Sequence, residues 1–176
     1  MEVQSDSCRI LGLDPGLRFT GWGCVEGQGG AFVYKGHGVI PVPPLFSMAE
    51  RLGYLFKQLQ EILKQSEPSE VALEEVFINK NGESTMKLCM ARGVVMLVPA
   101  TLGIPVFEYG ANAAKKTITG RGHAEKAQVK AMVEFLLPPF KTAQTERLAK
   151  EDCSDALAVA LCHAQNRKFA KIVAAG

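Results

Sequence analysis

Four carboxylates stand at places where separate elements would deliver them to one patch. Asp14 closes the apolar run Arg9-Ile10-Leu11-Gly12-Leu13 and is followed at once by Pro15-Gly16. Glu74 lies inside Val71-Ala72-Leu73-Glu74-Glu75-Val76-Phe77-Ile78. Asp152 and Asp155 open the helical stretch Asp155-Ala156-Leu157-Ala158-Val159-Ala160-Leu161. An acid inside an apolar element is costly to bury unless a cation or hydrogen bonds compensate it. The pattern therefore predicts a divalent-metal site, with metal-assisted chemistry on phosphate as its use. Two hard cations about 4 Å apart would neutralise such acids, hold a phosphate oxygen and lower the pKa of an attacking water.

Each acid taken alone has a plainer explanation. Asp14-Pro15-Gly16 reads equally well as turn chemistry. Asp152 and Asp155 share one face of a helix start, where the dipole and N-capping favour acids anyway. Glu74 is the hardest to explain away, because so apolar a strand has no evident surface face. Its neighbour Glu75 points to the opposite side, and alternation does not choose between the two. Cys153 lies between two of the acids, but a soft thiolate suits magnesium poorly. The five cysteines are odd in number and form no C-x-x-C pair, so reduced thiols are expected rather than a zinc or disulfide framework.

The elements that must carry these acids follow from the apolar pattern. Cys8–Asp14, Thr20–Glu26 and Ala31–Ile40 read as strands, with a glycine-rich turn over residues 26–30. Leu45, Met48, Ala49, Leu52, Leu55, Phe56, Leu59, Ile62 and Leu63 recur at helical spacing. A strand over Glu70–Ile78 follows, then a polar loop and a helix from Ser84, as N-cap, to about Leu102, with Gly103 as its stop. Ile104–Glu108 reads as a fifth strand. A basic loop, a helix over His123–Leu137, a Pro138-Pro139 break, a polar loop and a last helix from Glu151 to Ala174 complete the chain. Three meandering strands followed by β-α units predict an α/β fold, a mixed five-stranded sheet with helices on both faces. That order resembles the ribonuclease H-like nucleases, in which the first and fourth strands can be neighbours.

Length, composition and charge bound the rest. At 176 residues, 47% of them hydrophobic, the expectation is one domain spanning residues 1–176 with a proper core. No run approaches a membrane span and no signal segment opens the chain, which predicts a cytoplasmic protein with no membrane partner. Residues 1–109 carry nine Lys or Arg against twelve Asp or Glu, whereas residues 110–150 carry eight against three. A basic segment in a chain that also gathers acids suits a polyanion held over a metal site, although a solvated helix face would look the same.

The order of motifs is more specific. Ile10-Leu11-Gly12-Leu13-Asp14-Pro15-Gly16-Leu17-Arg18-Phe19-Thr20-Gly21-Trp22-Gly23 resembles the opening of the RuvC family of Holliday junction resolvases. The resemblance continues through Ala72-Leu73-Glu74-Glu75-Val76-Phe77, Asn79-Lys80-Asn81, Lys87-Leu88, Ala91-Arg92-Gly93-Val94, Thr117-Ile118-Thr119-Gly120-Arg121-Gly122, Ala124–Val129 and Asp155–Ala160. It implies a homodimer that binds four-way junction DNA and makes paired, symmetric nicks leaving 5′-phosphate and 3′-hydroxyl ends. It implies Asp14, Glu74, Asp152 and Asp155 as catalytic acids and metal ligands, and so selects Glu74 over Glu75. Two Mg2+ per subunit, with Mn2+ able to substitute, would be the cofactors. Lys115 and Lys126 would support DNA and the scissile phosphate, and Phe77 would stack on a base. Arg18, Lys80 and Arg92 would be further DNA contacts. Ala91–Val98 would form the dimer interface, and a branch-migration motor of the RuvA-RuvB type would be a partner in recombination and repair.

The chain departs from the family at Cys89 and Met90, where Gly-Gln is usual, in a stretch expected to pack or touch DNA. Two competing readings remain. A sugar-kinase or actin-like ATPase would also present a strand-ending Asp beside glycines, but needs a second lobe. A junction-binding protein that has lost catalysis would not be expected to retain all four acids.

Overall fold

A strand buried on both faces belongs in the middle of a sheet, and β1 (Cys8–Asp14) is one: Ile10, Leu11 and Leu13 are all buried. The computed structural model describes residues 7–28, 31–75, 82–143 and 147–174. In it β1 pairs antiparallel with β2 (Phe19–Gln28), which pairs antiparallel with β3 (Ala31–Pro41). On its other side β1 runs parallel to β4 (Glu70–Glu74), and β4 runs parallel to β5 (Val106–Tyr109). The sheet order is β3-β2-β1-β4-β5. The expected mixed five-stranded sheet and the neighbouring first and fourth strands are both present.

One face is covered by α1 (Met48–Ser66) and α2 (Gly82–Thr101). Their Leu55, Leu59, Leu63, Ala91, Val95 and Val98 meet Leu11, Leu13, Val71 and Leu73 of the sheet. α1 starts at Met48 rather than Leu45 because Ser47 caps it, in a reciprocal capping box with Glu50. The other face carries α3 (Ala111–Thr119), α4 (Lys126–Leu136), α5 (Pro138–Thr142) and α6 (Arg147–Ala174). There Ile10, Val25 and Ala72 pack with Ile118, Val133, Phe140, Leu157 and Leu161.

Several expectations are corrected. The basic stretch after β5 is a helix, α3, bounded by Gly110 and by Gly120 in the left-handed region at φ +78°. The proline pair does not simply interrupt the chain; it occupies the first turn of α5, where a missing N–H costs nothing. Ser84 lies inside the first turn of α2 instead of capping it. α6 begins at Arg147, so Asp152 and Asp155 sit inside the helix and neither is its N-cap. β4 ends at Glu74, and residues 76–78 of the expected strand lie outside the described residues.

α6 lies directly on the backbone of β1 and β2. A Cβ on Gly12 would stand 2.9 Å from Ala160 Cβ, one on Gly21 2.6 Å from the Asp152 carbonyl carbon, and one on Gly23 2.6 Å from Leu157 Cδ2. Gly12 is paired with Gly23, and Gly21 with Asp14. The glycines therefore make one bare strip that brings α6 against the end of β1. Gly12→Ala or Gly21→Ala should lose about 1–3 kcal/mol of stability through overpacking. Gly27→Ala, with nothing within 4 Å of the added carbon, should change it by less than about 0.5 kcal/mol. Urea denaturation measures all three, and equal losses at positions 12 and 27 would count against the close seating of α6.

Candidate active site

Leu13 of β1 lies opposite Leu73 of the parallel strand β4. The next residue on each strand, Asp14 and Glu74, therefore reaches the same edge of the sheet, and α6 lays Asp155 across that edge. Asp14, Glu74 and Asp155 line one cavity of about 180 Å3 together with Lys115 of α3 and Lys126 of α4. Asp152, about one helical turn earlier, lines an adjoining groove of about 550 Å3 with Arg18, Arg51 and Lys87. Glu75 is exposed and takes no part in this cavity. The geometry gathers the pair implied by the two strands and adds the helix acids from a third direction.

The carboxylates disturb one another. Burial, then repulsion by Asp155, Glu74 and Asp152, pushes the Asp14 carboxyl up to about 8. Burial and Asp155 also push Glu74 up, against the pull of Lys115 and Lys126. Asp152 is raised by burial and by Asp155. Lys126 places its Nζ 3.2 Å from Asp155 Oδ2 and is itself held above the ordinary lysine range by that acid.

Other side chains fix the strand ends. Thr20 is fully buried, and its hydroxyl donates to the Gly16 carbonyl at 2.8 Å and accepts from the Gly16 N–H at 3.3 Å. This pins the turn that follows Asp14. Arg92 donates from Nη1 to the Glu74 carbonyl at 2.6 Å and pairs with Glu108. Through these two contacts Arg92 braces the end of β4 from behind Glu74. At the opposite end of β4, Glu70 accepts from Arg167 Nε at 2.8 Å and lies 2.6 Å from His163 Nε2. The His163 Nδ1 is 2.6 Å from the Tyr109 hydroxyl, and Phe107 stacks on the ring. Burial, the largest influence, pushes His163 below the usual histidine range and would raise Glu70, but the donors His163 and Arg167 outweigh it and hold Glu70 low. This buried clamp ties α6 to β4 and β5.

The donor set suits a hard cation. It consists of carboxylate oxygens: three acids and two lysines line the cavity, and Asp152 adds its charge from the adjoining groove. Among the described residues no three His, Cys, Asp or Glu side chains already converge on one point, and Asp155 is turned toward Lys126. Cys153 is buried, and burial pushes its thiol up to about 12. Phe77 and Lys80 lie outside the described residues. Arg18 sits at the groove with its guanidinium 5.8 Å from the Phe19 ring centroid. Sequence reading missed Arg51, the helix that presents Lys115, and the His163–Glu70 clamp. Only long-range packing brings these to the site, and no local pattern marks them.

Comparison with known proteins follows from this geometry. The profile of the family described as "Crossover junction endodeoxyribonuclease RuvC" matches residues 10–163. A protein of that name from Azorhizobium caulinodans is 52% identical over 159 residues, covering 90% of each chain. One from Gluconacetobacter diazotrophicus is 47% identical over 168 residues, covering 96% of each. The structure of T. thermophilus RuvC in complex with Holliday junction substrate superposes with TM-score 0.83 at 30% identity, over 93% of this chain and 96% of that one. The yeast mitochondrial Holliday junction resolvase Ydc2 shares the fold, with TM-score 0.66 at 14% identity.

The acid cluster has a pH signature. Folded Asp14 keeps its proton up to about pH 8, while in the unfolded chain it ionises near its ordinary value of 3.8. Between those values the folded state binds the extra proton, so the stability due to this group falls as pH rises. In chelator, Asp14→Asn should therefore gain stability relative to the parent as pH is raised from 5 to 8. Thermal melts of the two proteins at matched pH test this; a constant difference would mean that Asp14 titrates normally.

Proposed function

Since the chain belongs to the RuvC family of crossover junction endodeoxyribonucleases, we propose that its acid-lined cavity is where one strand of a four-way DNA junction is cut. The chain is a nuclease that resolves Holliday junctions, with a role in recombination. The observation that carries the assignment of the site is one cavity shared by three acids from β1, β4 and α6 and by two lysines. We take residues 1–176 as a single nuclease domain, because β1 contributes to both apolar clusters.

In this reading Asp14, Glu74, Asp152 and Asp155 would hold two Mg2+ per subunit, with Mn2+ able to stand in, and the ions would supply Lewis acidity and an ionised water for in-line attack. The remaining work falls to the chain. Lys115 and Lys126 attract the free oxygens of the scissile phosphate into the cavity. Lys126 also orients Asp155 through their ion pair. Thr20 and Arg92 keep the ends of β1 and β4 in place, so that Asp14 and Glu74 stay side by side. Phe77 stacks on a base and Lys80 adds a DNA contact. The products carry 5′-phosphate and 3′-hydroxyl ends.

Paired, symmetric nicks require two sites related by symmetry, hence a homodimer. The expected interface, Ala91–Val98, divides into two faces: Ala91, Val95 and Val98 are buried in the chain's own core. The outward face of α2 carries Met86 (57% exposed), Met90 (41%) and Leu97 (54%) at helical spacing. This apolar stripe supports dimer formation through α2, with Met90, one of the two departures from the family, inside it. A branch-migration motor of the RuvA-RuvB type is the further partner. No helix among the described residues is long and apolar enough to cross a membrane, and action on junction DNA supports a cytoplasmic location.

The deciding experiment is cleavage of a labelled mobile four-way junction beside a linear duplex, with Mg2+ or with chelator. Metal-dependent nicks at symmetry-related positions on the junction alone are expected. Binding without nicks would replace the enzyme with a catalytically silent binder. Asp14→Asn should bind junctions nearly as well and cut at least about a hundredfold more slowly, because several kcal/mol of charge stabilisation is removed. Full-rate cutting would take Asp14 out of the mechanism. Leu97→Glu should shift the protein to single chains in analytical ultracentrifugation; an intact dimer would move the interface off α2.

A further inference from the structure

The groove beside Asp152 has a composition that the acid site does not explain. It is separate from the cavity of Lys115 and Lys126, has a volume of about 550 Å3, and is lined by Arg18, Phe19, Arg51, Lys87 and Asp152. Lys87 is already paired with Glu83. Arg51 is not: its Nε is buried with no hydrogen-bond partner, and no ion pair among the described residues uses it. A buried guanidinium N–H without an acceptor is costly, so an acceptor is to be expected from outside the chain. The Asp152 carboxylate does not serve, although it lines the same groove. Arg18 is exposed at the rim, and Phe19 beside it offers an exposed ring.

We propose that this groove seats a backbone phosphate of the DNA strand being cut, on the Asp152 side of the scissile bond, with Arg51 as its principal ligand and Arg18 as the second. The inference rests on the junction-cutting reading above and assigns to it a phosphate site apart from the lysine cavity. A strand whose scissile phosphate lies over Asp14 and Asp155, with Lys115 and Lys126 on one flank, has Asp152 and its groove on the other side of the acids. The guanidinium fork matches two oxygens of a phosphodiester, which a lysine or a glutamine does not. The aromatic ring of Phe19 adds an apolar surface for the adjoining sugar or base. The contact is to backbone and therefore positions the strand without reading its sequence.

The test uses the full chain in chelator, so that binding is measured without cutting. Four-way junctions are made with a single uncharged methylphosphonate at successive positions around the cleavage point. The parent protein should lose affinity at several positions. Arg51→Gln should lose sensitivity at one flanking position on the Asp152 side, and its salt dependence should fall by about one phosphate contact. Arg51→Lys should keep the salt slope and still bind more weakly, since it retains the charge but not the fork. Thermal melts report whether the variants fold. If Arg51→Gln does not, Arg18→Gln at the exposed rim carries the same comparison. An Arg51→Gln protein with the parent's full pattern and salt slope overturns the phosphate seat alone. A parent protein that binds no junction overturns the junction reading, and the seat with it.

Discussion

Two backbones approach closely only where no side chain stands between them, and the site rests on one such approach. Gly12, Gly21 and Gly23 leave a strip of β1 and β2 bare, and α6 settles into it. A helix held off the sheet by even one methyl layer would carry Asp152 and Asp155 away from Asp14. The apolar contacts of Leu157 and Leu161 drive the docking, but they would be satisfied at several heights and angles. The glycines select the one in which helix acids meet strand acids. Their cost in strand stability is borne for that purpose.

Bringing the acids together opposes folding, because like charges in a partly dry cleft repel. The rest of the fold has to overcome that. At the opposite end of β4 the Glu70–His163–Arg167–Tyr109 network fastens α6 to the sheet with satisfied hydrogen bonds. Glu70 and Glu74 bound the same short strand. One carboxylate is held low by its donors and the other is pushed up by its neighbours. The contrast separates a carboxylate used for fastening from one crowded by its neighbours, and such local strain is what a functional site is expected to show.

Much of this was legible in the residues. Asp14 stood out as the end of an apolar run and Glu74 as an acid inside one, and the order of elements resembled a fold in which their two strands can be neighbours. The motif blocks then chose Glu74 over its neighbour, which alternation could not do. α3 was not legible, since its inward face is only Ala114 and Ile118 and its lysines read as loop. The early start of α6 was missed because its first turns offered too little apolar periodicity after the proline pair. Gly12, Gly21 and Gly23 read as weak points in strands until a helix is known to lie on them. Arg51 belongs to the polar side of α1 by pattern, and only tertiary structure sets it beside Asp152.

The order in which the acids occur along the chain also sets when the site can exist. Asp14 and Glu74 belong to segments made early in synthesis, and they can pair as β1 and β4 before the last helix is available. Asp152 and Asp155 arrive only with α6, whose docking closes a contact between residues far apart in sequence. Such long-range contacts form late. A partly made or partly unfolded chain therefore lacks half of its acids, together with the lysine that is tied to Asp155. In the proposed site, the full set of acids exists only once the core is complete.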